Sequence, residues 1–145
     1  MSTKEIQDAI VNNMRRWQKV ENASVASTGA VIENTDNPVV RLIMEVIQRD
    51  SQFHYRVQDL IADSLTTKTI TLNPDELAKV WGMIEKHIAL EKKTVELAEE
   101  AMASLKGKKM VVQEYLLDYL LTDEEKHNKV LATLEKIKKG MYPYG

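Results

Sequence analysis

An all-α four-helix bundle with a long connection between its second and third helices is the fold that these 145 residues predict, on three observations. Apolar residues recur at helical spacing in four long segments. Five Gly and three Pro leave little room for long irregular loops. The breaks fall where cap and turn signals cluster, at "NTDNP", "LNPDE" and "KGKK". One domain of residues 1–145 follows, with helices at about 3–33, 38–62, 74–105 and 109–138.

The first helix opens on Ser2 and Glu5, the spacing of a capping box, and carries Ile6, Ile10, Met14, Trp17 and Val20 on one stripe. Gly29 and the Ser/Thr run around it weaken its second half and admit a kink. Asn37 and Pro38 start the second helix as cap and first position. Its inward stripe includes Val40, Ile43, Ile47, His54, Val57 and Ile61. Residues 63–73 read as an extended connection that spans at most about 36 Å. That length reaches along a bundle, or makes an antiparallel turn with slack.

Asn73, Pro74 and Glu76 announce the third helix, and Leu77, Val80, Ile84, Ile88, Val95 and Met102 carry its stripe. Gly107 makes the next turn. The fourth helix carries Val112, Leu116, Leu120, Leu131, Leu134 and Ile137, with Gly140 as its expected C-terminal stop. Tyr142 and Tyr144 read as a tail that docks on the bundle or on a partner subunit.

Net charge is −2, which gives no pull towards nucleic acid, and no segment has the apolar length of a leader or a membrane span. The expectation is a cytoplasmic protein. With no Cys, thiolate metal sites, disulfides and cysteine nucleophiles are excluded.

Each stripe turns polar once. Glu21 lies one turn past Trp17; Ser51 and His54 follow Ile47; His87 and Glu91 lie among Ile84, Ile88 and Val95; Glu124 and His127 lie between Leu120 and Leu131. All fall close to the midpoints of their helices, so at about 1.5 Å per residue they share one layer of a bundle. Uncompensated carboxylates in an interior cost several kcal/mol, and inward Lys or Arg is scarce, Arg49 being the nearest candidate. A divalent cation is the simpler counter-charge, and Glu oxygens with His nitrogens suit iron, manganese or zinc. The bland alternatives are an interior hydrogen bond for His54, a one-turn contact of His87 with Glu91, and a solvated acidic face around "DEEKH". Trp17 and Trp81 read as packing residues.

The two halves repeat one scheme: 33 residues separate Glu21 from His54 (54 − 21) and 36 separate Glu91 from His127 (127 − 91). In order, spacing and layer the chain resembles the ferritin-like superfamily, in particular bacterioferritins and the di-iron domain of rubrerythrins. There two helices each give a Glu and two each give Glu-x-x-His around two metal ions. The resemblance implies Glu21 and Glu91 as the single glutamates, His54 as the histidine of the second helix, and Glu124 with His127 as the pair of the fourth. It departs at "SQFH", where Ser51 stands in place of a bridging glutamate. Asp50 is adjacent but about 100° round the helix, and His87 is a candidate substitute ligand.

What the resemblance implies is an iron-binding protein, with one or two ions per site, and ferroxidase or peroxide-linked redox activity. The missing thiolates exclude a rubredoxin-like centre, so an electron donor would be a separate protein. A homodimer is expected, with a helix-swapped form admitted by the short reach of 63–73. The alternative is a ferritin-like bundle with a decayed or mononuclear site, serving as a binding or assembly module.

Overall fold

The computed structural model describes residues 1–141; the tail reading of Tyr142 and Tyr144 lies outside them. Four helices account for nearly all of the chain: α1 (Thr3–Glu33), α2 (Pro38–Thr66), α3 (Pro74–Ser104) and α4 (Val111–Met141). No strand occurs among the described residues, and none of the helices is long and apolar enough to cross a membrane. The chain divides into two compact units at Thr71–Leu72, one holding α1 and α2 and the other α3 and α4.

In the first unit the predicted caps form. Ser2 and Glu5 exchange bonds, with Glu5 N donating to Ser2 Oγ at 3.1 Å and Ser2 N to Glu5 Oε2 at 2.9 Å. Asn37 Oδ1 accepts from Val39 N and Val40 N, with Pro38 at the first helical position. Arg41 ties the turn by donating to the carbonyls of Ile32 and Thr35. α1 runs through Gly29 as one continuous α-helix. α2 extends to Thr66, four residues past the expected end. Thr67 N and Lys68 N donate to the Asp63 carbonyl and close that last turn, while Ser64 and Thr66 donate back to the carbonyls of Ile61 and Ala62.

The seam between α1 and α2 is mostly polar. Gln18, Glu21, Thr28, Ser51 and Gln58 are buried there alongside Met14 and Ala62. Gln18 Nε2 donates to the Tyr55 carbonyl at 3.2 Å, Gln48 Nε2 to the Val25 carbonyl at 3.2 Å, and the Ser24 and Ser51 hydroxyls lie 2.8 Å apart. Much of the expected apolar stripe lies outside this seam: Ile6, Ile10, Trp17, Val20, Ile47, Val57 and Ile61 are exposed. Two helices share a single line of contact, which is narrower than an amphipathic stripe. Arg49 is exposed and pairs with Glu45 at 2.8 Å, so it is no inward counter-charge.

In the second unit Asn73 Oδ1 caps α3 by accepting from Asp75 N and Glu76 N. Leu77, Trp81 and Ala98 are buried, Trp81 Nε1 donates to Glu85 Oε1 at 2.9 Å, and Lys138 Nζ sits 5.0 Å over the Trp81 ring. Gly107 turns the chain with φ +78°. α4 continues through Gly140 to Met141 rather than stopping there, and none of its residues is buried.

Candidate metal centre

Midway along α3, Glu91 faces α4, and helical spacing brings His87 one turn behind it. On α4, Glu124 and His127 are three apart and so share a face. The result is a compact group. One ligand atom from each of Glu91, Glu124 and His127 can be chosen so that all three lie within 4.8 Å of one another. Ligands on a common ion at about 2.1 Å are no more than about 4.2 Å apart, so small side-chain shifts would complete such a set.

The imidazole sits among three carboxylates. His127 Nδ1 is 3.3 Å from Glu91 Oε2 and 3.6 Å from Glu124 Oε2, while its Nε2 is 3.4 Å from Asp123 Oδ2. The Glu91 contact is a hydrogen bond, and an ionised carboxylate only accepts, so Nδ1–H donates to Glu91 and a cation would take Nδ1 in place of that proton. His87 Nε2 reaches Glu91 Oε1 at 2.9 Å, the one-turn contact open from the sequence. Thr94 Oγ1 donates to Glu124 Oε2 at 2.7 Å, and Asn128 Nδ2 spans the helices by donating to the backbone carbonyls of Glu91 and Glu124. Glu91 is the most enclosed member, its side chain 12 % exposed against 42 % for His127. Hydrogen bonding to the Glu124 carboxyl, then to His127 and His87, holds Glu91 below its ordinary 4.5, against the upward push of its burial. A carboxylate that stays ionised beside a second carboxyl and two imidazoles is a fit donor set for a borderline divalent cation.

The α1–α2 hairpin carries a thinner group. Glu21 is 7 % exposed, and its Oε2 lies 3.3 Å from His54 Nδ1 without a well-formed hydrogen bond. Ser51 is buried, with its hydroxyl engaged by Ser24, and Asp50 is exposed on another face. The structure therefore brings Glu21 to His54, and Glu91 to Glu124, His127 and His87. Asp123, Thr94 and Asn128 were not singled out from the sequence. Their signal was there as spacing: Asp123 is four before His127, Thr94 three after Glu91, and Asn128 four after Glu124.

No family model, no curated protein and no solved structure matches the chain.

Proposed function

We propose that this is a ferritin-like metal-binding protein whose α3–α4 hairpin holds iron for redox chemistry towards dioxygen or peroxide. The observation that supports it best is the convergence of Glu91, Glu124 and His127 within 4.8 Å. Glu91 and Glu124 provide negative charge and His127 a neutral nitrogen. Asp123 adds charge 3.4 Å from the other ring nitrogen, and Thr94 fixes one Glu124 oxygen. Ferrous iron held there would supply the electrons for oxygen or peroxide reduction. Manganese or zinc fits the same donors. Electrons to restore the ferrous state would come from a separate donor protein.

The test is metal content. Protein produced with added iron and purified without chelator should carry about one iron per chain, and Glu124→Gln should lower the affinity at least tenfold. An iron-free wild type that also fails to bind added ferrous ion would refute the reading. A second reading, a bundle that has lost its metal and serves as an assembly module, is favoured by the Ser24–Ser51 bond at the place of the missing glutamate. It predicts that iron-free outcome.

A further inference from the structure

We propose that Thr94 is a positioning residue with two settings: its hydroxyl proton holds Glu124 while the site is unloaded, and turns to the Glu91 backbone carbonyl when Glu124 becomes a ligand. The proposal rests on the metal reading of Glu91, Glu124 and His127.

Its basis is one proton with two acceptors. Thr94 Oγ1 lies 2.7 Å from Glu124 Oε2 and 2.6 Å from the Glu91 carbonyl oxygen. Both distances are those of good O–H···O bonds, and a hydroxyl has a single proton to donate. It serves one of these oxygens at a time. The bond to Glu91 is the local back-bond of a helical threonine, made three residues earlier on α3. The bond to Glu124 crosses to α4.

Glu124 Oε2 also faces the imidazole, 3.6 Å from His127 Nδ1. Thr94 thus binds the carboxylate oxygen that stands nearest the proposed third ligand. An ionised carboxylate is a stronger acceptor than a peptide carbonyl, so the unloaded chain keeps the proton on Glu124. Coordination draws charge from that oxygen, while the Glu91 carbonyl keeps its full acceptor strength, and the preference reverses.

Neither setting leaves a carbonyl unpaired. Asn128 Nδ2 donates to the Glu91 carbonyl at 3.2 Å, so that oxygen is served while Thr94 is turned to Glu124. The same amide donates to the Glu124 carbonyl at 2.8 Å and ties the two backbones together. The exchange therefore needs the rotation of one hydroxyl and no movement of a helix. Thr94 is half-buried and the Glu124 side chain is 22 % exposed, which limits competition from water. One consequence has an unusual sign. Hydrogen-bond partners of metal ligands ordinarily strengthen metal binding. Thr94 weakens it, because its bond in the unloaded chain is the stronger of the two.

Zinc(II), which is diamagnetic, is the probe for the full-length protein, with affinity read by competition against a chromophoric chelator and carbonyl shifts by carbon-13 NMR. Thr94→Val keeps the shape of the side chain and loses the hydroxyl; Thr94→Ser keeps the hydroxyl. Thr94→Val should bind zinc about fivefold more tightly than wild type, the difference between a bond to a charged acceptor and one to a neutral acceptor, and Thr94→Ser should bind like wild type. Zinc should move the Glu91 backbone carbonyl carbon downfield in wild type and in Thr94→Ser as it gains the bond, and that step should be missing in Thr94→Val. Unchanged or weaker zinc binding by folded Thr94→Val overturns the exchange and leaves the metal reading standing. If Thr94→Val fails to fold, the wild-type carbonyl shift decides alone, and no downfield step on loading overturns the exchange. A wild type that binds neither zinc nor ferrous ion overturns both.

Discussion

Ser51 shows how much a single residue decides. Its burial against Ser24 gives α1 and α2 a hydroxyl–hydroxyl bond at 2.8 Å, where a glutamate would place a charge. Ser51→Ala should lower stability by about 1 kcal/mol in a urea melt, because it removes a part-buried hydrogen bond. Asp59 is the other informative residue. Arg15 Nη1 donates to it at 2.6 Å and Gln18 Nε2 at 3.3 Å, and these bonds, Arg15 first, hold its carboxyl below the ordinary 3.8. Because the folded value is depressed, the contribution is present above the unfolded value and disappears as pH falls through the folded one. Wild-type Tm should therefore drop more steeply below about pH 4 than that of Asp59→Asn, as thermal melts across that range would show. At this scale the sequence was legible where helical spacing decides, as for His87 with Glu91. It was silent where partners come from another helix: nothing in "RRWQK" announces that Arg15 and Gln18 meet at Asp59, 41 to 44 residues away.

Caps and turns made the elements legible. Ser2, Asn37 and Asn73 cap α1, α2 and α3 as their sequence signals predict, because a side-chain oxygen beside free amides needs no tertiary context. Asn73→Ala should cost about 1 kcal/mol, seen as a lower urea midpoint. Gly107→Ala should cost about 1 kcal/mol as well. An added Cβ meets nothing within 4 Å there, so the cost comes from the backbone at φ +78° alone. Helix ends were harder to read. α2 outlasts its expected end, its last turn closed by Thr67 N and Lys68 N on the Asp63 carbonyl, and Gly140 stays helical in α4, since a glycine permits a stop without forcing one. Which part of a stripe is covered was illegible too. Period alone marks Trp17 and Trp81 alike, yet Trp17 is exposed while Trp81 is buried, with its indole N–H on Glu85 and Lys138 over its ring.

At the scale of the whole molecule, an all-α chain of four helices is what the periodicity predicts and what the structure shows. The division at Thr71–Leu72 was not legible, because a short Thr-rich connection reads the same whether or not it separates two units. The homodimer expected from the sequence would cover some of the apolar side chains exposed in the single chain. Tm should accordingly rise with protein concentration in calorimetry, by several degrees over a hundredfold range.

The two hairpins also differ in what keeps each of them closed. α1 and α2 interlock through amide and hydroxyl groups whose bonds need no ion, and seven of their residues are buried (four on α1, three on α2). α4 has none. On the proposed function, one half of the chain is a fixed strut at any iron supply, while the rigidity of the other follows its metal. Amide exchange along α4 should slow on loading with ferrous ion, and α1 and α2 should keep their rates.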